Sequence, residues 1–283
     1  MKKLFTTTTL LLLVVLTFGQ NSLLWKISGN DLEKPSYLFG TIHLICPDDF
    51  FIPENLPASM EQCEKLVLEV DMSDPTLMQK MQTGMVNPQM KNIKGDLSEE
   101  DIKLVNDALV QAMGVGIDQM GIMKPWALST MIAVTMGLEC KQPAQYEMEL
   151  LKMAKEKELP IMGLETVEEQ FAIFDNIPYE RQLELLTDGI KNIEEDKELF
   201  VKIVDHYKAQ DVFGLYKLML EQEEMADFGE FLLDGRNKNW IPVMAESMKE
   251  KTCFFAVGAG HLGGDNGVIN LLKAKGYKVE AVK

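Results

Sequence analysis

Ser36-Tyr37-Leu38-Phe39-Gly40-Thr41-Ile42-His43 and Thr252-Cys253-Phe254-Phe255-Ala256-Val257-Gly258-Ala259-Gly260-His261 share one construction: a short apolar run, then a glycine-bearing segment ending in histidine. Apolar runs of this length, rich in aromatic residues and closed by glycine, read as strands. The chain has three histidines, so two in one local setting is informative. Loops at strand ends are where α/β proteins place ligands, and a glycine ahead of the histidine permits a sharp turn or a close approach.

Outward from these segments, Ser22-Leu23-Leu24-Trp25-Lys26-Ile27 and Ser36 to Phe39 flank a polar Gly-Asn-Asp turn and read as a hairpin. Lys65-Leu66-Val67-Leu68-Glu69-Val70 is a buried strand with one anomaly, the carboxylate of Glu69. From about Leu97 to Met225 the apolar residues recur at helical spacing, with Ser98-Glu99-Glu100 as a helix start and Ala144–Lys157 and Tyr179–Ile193 as amphipathic stretches. Leu159 to Glu165 interrupts them as one more strand. Thr252 to Val257, Gly267 to Lys275 and Tyr277 to Val282 read as strand, helix and strand. The expected fold is α/β, a mixed sheet with packed helices and a helical middle region.

The 283 residues, 46% of them hydrophobic, are enough for a substantial core. With 28 basic against 44 acidic side chains the formal net charge is −16, which speaks against nucleic acid as a partner. Residues 1–20 carry Lys2 and Lys3 ahead of the unbroken apolar run Leu10 to Leu16, the layout of a secretory signal peptide. The apolar stretch from Leu4 to Phe18 falls short of the ~20 residues needed to span a bilayer. The expectation is therefore an exported protein, periplasmic or secreted, without stable membrane insertion. Residues 21–283 are expected to form a single domain with a helical insert at about 97–230. Cys46, Cys63, Cys140 and Cys253 then meet an environment where disulfides persist, and their pairing stays open. Cys253, inside an apolar run, is expected to be a buried thiol.

Two imidazoles and one carboxylate leave positions open for water and substrate on a transition metal. Glu69 is the natural third member, since a carboxylate among Val67, Leu68 and Val70 needs a partner. Arg236, in Asp234-Gly235-Arg236-Asn237, reads either as a guanidinium that steadies an oxyanion or as a salt-bridge partner of Glu69 or Glu165. Glu165 is a further candidate for the site. His206, in a helical stretch, is expected on the surface. Gly258, Gly260 and Gly263 fit a dinucleotide-binding spacing but lack its strand–helix context.

Tyr37 to His43, Leu68-Glu69-Val70-Asp71, Gly163-Leu164-Glu165-Thr166, Arg236-Asn237 and Val257 to Leu262 together resemble the TraB/GumN family. That family includes the Tiki metalloproteases and is more distantly similar to the erythromycin esterases. The resemblance runs from about Leu23 to Val282. It implies an active centre built from the two GxxH motifs and a glutamate, here His43, His261 and Glu69. The expected activity is a metal-dependent peptidase in which His43 and His261 hold a divalent ion (Mn, Co or Zn), Glu69 either completes the metal shell or serves as general base, and Arg236 stabilises developing charge. The alternatives are a metal-independent, esterase-like hydrolase and a protein that binds a peptide or small ligand without turnover.

Overall fold

The computed structural model describes residues 21–222, 225 and 228–283, so the expected signal peptide at 1–20 lies outside the described residues. Its sheet contains β1 (Leu24–Ser28), β2 (Ser36–Thr41), β3 (Lys65–Val70), β4 (Ile161–Glu165), β5 (Cys253–Gly258) and β6 (Lys278–Ala281). Every strand expected from sequence is present. β1 and β2 pair antiparallel, and their turn places Gly29, Asn30 and Asp31 at positive φ, where glycine and short polar residues are tolerated.

The strand order is β4-β3-β5-β2-β1-β6, a mixed sheet, and the chain is an α/β protein. The pairs β3·β4, β3·β5 and β2·β5 are all parallel. Four strands therefore end at one edge, and the register fixes what meets there: Thr41 lies opposite Gly258, Leu68 opposite Ala256, and Val70 opposite Glu165. β2 is buried at every position and β5 at all but its last, as strands covered on both faces must be. Helices Tyr146–Glu156, Gly235–Glu250 and Val268–Ala274 supply the cover through residues such as Leu150, Trp240, Met244 and Ile269.

The helical middle has a second, smaller core. Helices Glu99–Met113, Pro125–Gly137 and Tyr179–Lys191 meet through Val105, Leu109, Leu128, Ile132 and Leu186. Ser98 caps the first of them by accepting from the Asp101 amide, and Gly114, at φ +75°, ends it.

One boundary differs from expectation for a tertiary reason. The helix expected from Ala144 begins at Tyr146, because Ala144 exchanges two backbone hydrogen bonds with Ile45 (2.8 and 3.1 Å). Beside that bridge Cys46 and Cys140 form a disulfide across 94 residues of chain. Cys63 and Cys253 are free and buried, as expected for Cys253. The bond ties the segment just beyond His43 to the start of the Tyr146–Glu156 helix. Replacing both bridged cysteines by serine is expected to lower stability in urea by about 2–4 kcal/mol. Reducing the wild type under native conditions should bring its midpoint to that of the variant, and a reductant-insensitive midpoint would show that the bridge is not formed.

Candidate active site

The parallel register delivers side chains from four strands to one edge. His43 follows β2, Glu69 is next to last in β3, Glu165 ends β4, and His261 lies in a 3-10 turn just after β5. At the first motif glycine the expected close approach, rather than a sharp turn, is what the fold uses. Gly40 remains inside β2, where a Cβ would come within 2.7 Å of the Leu262 side chain and 3.1 Å of the Ala259 backbone. Its lack of a side chain lets the two histidine-bearing segments pack together.

The helix Gly235–Glu250 closes the site. Its buried stripe of Asn237, Trp240, Ile241, Met244 and Met248 follows helical spacing, which points Arg236, Asn237 and Trp240 at the strand ends. Arg236 donates from Nε and Nη2 to Glu165 (3.0 and 2.6 Å), from Nη2 to Glu69 (2.5 Å), and from Nη1 to Nε2 of His261 (3.1 Å). The salt-bridge reading of Arg236 is thus realised with both carboxylates at once. Glu165 also accepts from Trp240 Nε1 (3.0 Å). Glu69 accepts from the Gly258 amide (2.8 Å) and from Gln170 (3.1 Å). Only 9% of either glutamate side chain is exposed, so full partnering is a physical requirement.

The tautomer of His261 follows from its neighbours. Asn237 donates through Nδ2 to the Asn266 carbonyl (2.9 Å), which turns its Oδ1 towards His261 Nδ1 at 2.7 Å. Nδ1 must therefore carry the hydrogen, leaving the Nε2 lone pair to accept from Arg236. Burial pushes the His261 pKa down; Glu69 opposes this, Arg236 and His43 reinforce it, and the result is about 3. The ring is a neutral imidazole. Burial alone would raise the Glu69 pKa, but the positive charges of His261 when protonated, Arg236 and His43 bring it to about 2. At neutral pH, where His261 carries no charge, Arg236 is the permanent cation that keeps Glu69 ionised.

His43 is the exposed member, with 66% of its side chain open to solvent. Its Nδ1 lies 2.9 Å from Glu147 Oε1, which also accepts from Thr41 Oγ1 (2.8 Å), so Nε2 is the free nitrogen. The Glu147 hydrogen bond is the main cause that raises the His43 pKa to about 9, against some desolvation and with help from Glu69. His43 and Glu69 line one cleft together with Glu147 and Gln170. His206 takes no part: it sits half-buried in the last turn of its helix, 3.1 Å from Asp211.

Among the described residues no group of three or more His, Cys, Asp or Glu side chains is gathered to hold a metal ion. His43, Glu69 and His261, the expected ligands, share one edge but do not form a coordination shell in this arrangement, because Arg236 takes the His261 lone pair and one Glu69 oxygen. Glu147, Gln170 and the part played by Trp240 are additions to the sequence reading. Trp240 stands one helical turn from Arg236 and was discoverable by that spacing, whereas Glu147 and Gln170 carry no local signal.

A family model described as the TraB/PrgY/gumN family matches residues 23–281. The chain is 24% identical to metalloprotease TIKI1 of Xenopus tropicalis and 25% identical to metalloprotease TIKI1 of Homo sapiens, in each case over 92% of this chain and 61% or 62% of the relative. It thus spans about three fifths of the length of those relatives. It is 22% identical to the uncharacterized protein YbaP of Escherichia coli K12, over 84% of this chain and 87% of that one. No solved structure matches. No helix among the described residues is long and apolar enough to cross a membrane.

The site implies a defined pH dependence in metal-free protein. The His261 pKa falls on folding from 6.5 to about 3, so the unfolded chain takes the proton first and stability drops as pH falls through that window. Glu69, lowered from 4.5 to about 2, acts in the same direction further into acid. His43, raised to about 9, contributes below its unfolded value of 6.5 and loses that contribution as pH rises through 9, weakly because the ring is exposed. Urea midpoints across this range should show a steep acid limb that His261→Gln flattens between pH 6.5 and 3. An equally steep limb in that variant would mean that His261 is not buried as the neutral ring.

Proposed function

The chain belongs to the TraB/PrgY/gumN family, and from that premise we propose that it is an exported, metal-dependent peptide hydrolase working through His43, Glu69 and His261. The observation that carries the reading is the pair of imidazoles, each with Nδ1 committed to a fixed partner, flanking a buried ionised carboxylate at the mouth of a cleft. Metal-ligating histidines are commonly oriented through the second ring nitrogen in this way. The printed names of the TIKI1 relatives point to the same chemistry. Export is supported by the Cys46–Cys140 disulfide, a bond that persists in oxidising compartments.

The donor set suits a divalent cation: His261 is already neutral, His43 Nε2 has no protein partner and would ligate once its proton is lost, and one guanidinium against Glu69 and Glu165 leaves the cluster with one excess negative charge. Held there, such an ion would supply Lewis acidity, lowering the pKa of a bound water and polarising the scissile carbonyl. Loading it on His261 requires the Arg236 hydrogen bond to open, since one lone pair cannot serve both. Arg236, once released from His261, would hold the developing negative charge. Hydrolysis adds water across the amide, and Glu69, where it serves as general base rather than as a ligand, would take a proton from that water and pass it to the leaving nitrogen.

The metal-independent alternative rests on the same Arg236–His261 contact, which supplies a cation without an ion. Against it, the groups are poorly tuned to activate water on their own. His43 carries its proton at neutral pH, while Glu69 and His261 bind theirs only near pH 2 and 3. The substrate is a peptide or a small molecule, and the −16 charge disfavours nucleic acid.

Metal content, peptide cleavage and melts of the wild type and Glu69→Gln form the test. The wild type should hold a stoichiometric divalent ion and lose cleavage to a chelator. Glu69→Gln should remain folded while turnover falls by about 10²–10⁴. Cleavage that survives chelation moves the assignment to the metal-independent route, and saturable peptide binding with no cleavage moves it to a binding protein.

A further inference from the structure

The cleft that begins at His43 and Glu69 extends away from them into apolar surface. It encloses about 290 Å³. Its apolar lining is Met72, Leu77 and Met81 from the segment that follows β3, Val167 and Phe171 from helix Val167–Asp175, and Leu68 from the sheet. The polar groups His43, Glu69, Glu147 and Gln170 are also in its lining. A pocket near the lower end of the ~300–1,000 Å³ range of small-molecule sites holds one large side chain with its flanking backbone.

Two features show that these walls are not ordinary core. Helix Leu77–Gly84 buries none of its residues, although Leu77 and Met81, one turn apart, both face the cleft. Apolar side chains left half-open beside a polar site are what a ligand's apolar group would cover. The opposite wall is braced: the Phe171 ring lies 5.0 Å from Trp126, which stacks on Phe174 at the same distance. The walls also approach closely, since a Cβ on Gly84 would fall 2.4 Å from the Phe171 ring. Lys80 reaches from its helix to Glu168 on helix Val167–Asp175 (3.4 Å) and also pairs with Asp74, just ahead of its own helix (3.1 Å). Phe171 thus gives the cleft a fixed aromatic surface, and facing residues include two adaptable thioethers, Met81 on helix Leu77–Gly84 and Met72 ahead of it.

We propose that this cleft is a subsite for a large apolar side chain, such as leucine, methionine or phenylalanine, next to the reacting bond of a peptide. The proposal rests on the hydrolase reading for its position, because the cleft is continuous with His43 and Glu69. A polar side chain there would lose water and find no partner along Met72, Leu77, Met81, Val167 and Phe171. Met81 is the residue to change, because it lines the cleft from an exposed helix and touches none of the site's hydrogen bonds.

The test uses peptides identical except for Leu, Phe, Ser or Asp at one position, moved stepwise along the sequence. Cleavage rates and binding by fluorescence anisotropy are measured for the wild type and Met81→Trp, with melts of both. The wild type should favour Leu and Phe over Ser at one position by about 10–200-fold. Met81→Trp, which fills the cleft, should slow the Leu and Phe peptides far more than the Ser peptide and so erase that preference. If that variant does not fold, Met81→Lys replaces it and should shift the preference towards Asp. A wild type with no apolar preference overturns the subsite, as does a variant that weakens every peptide equally. If nothing is cleaved, the hydrolase reading fails on its own, and the binding series decides the subsite by the same differences. Absence of binding by every peptide also overturns it.

Discussion

The Arg236 guanidinium is the contact on which the rest of the site depends. Glu69 and Glu165 end neighbouring parallel strands with little solvent access, and two ionised carboxylates cannot stay there without a cation. Arg236 grips Glu165 through two of its nitrogens, reaches Glu69 with one of the same pair, and turns its remaining nitrogen to His261. Removing one partner from such a buried group typically costs ~3–5 kcal/mol, because the others are left uncompensated. The same contact orients the helix that begins at Gly235, and with it Asn237 and Trp240. Trp240 then packs against His261 with ring centroids 4.5 Å apart.

The sheet makes this convergence unavoidable once its order is set. β5 enters between β3 and β2, so the glycine-rich turn after β5 stands between the Glu69 and His43 strands. Gly40 clears the space that turn occupies. The other side of the site belongs to residues far away in sequence: Glu147 at a helix start set by the Ala144–Ile45 bridge, and Gln170 on the helix that also carries Phe171. His261 and His43 consequently have opposite characters from similar motifs. One is buried, neutral and locked by Asn237, and the other is exposed and held protonated by Glu147.

Much of this was legible in the linear order of residues. Six strands, the helical middle and the two GxxH segments follow from apolar runs, periodicity and glycine placement, which act over a few residues. Glu69 stood out because a carboxylate inside an apolar strand demands a partner. The helix from Ala144 was placed too early because the competing partner, Ile45, lies a hundred residues away and leaves no trace in the local pattern. Of the two roles the sequence offers a motif glycine, turning or close approach, Gly40 takes the second, and what approaches is a neighbouring segment of the chain.

The sequence by itself thus determined which elements form and which side chains stand at their ends, since both depend on short-range periodicity and on the cost of burying charge. Only the tertiary structure decided that Arg236 serves Glu69 and Glu165 together, that Asn237 and Glu147 choose the hydrogen-bonding state of each imidazole, and that Cys46 pairs with Cys140. Those outcomes depend on strand order and register, which bring residues separated by up to 167 positions within hydrogen-bond reach. No local pattern encodes that distance, because the free energy that selects it comes from packing the whole sheet between its helices.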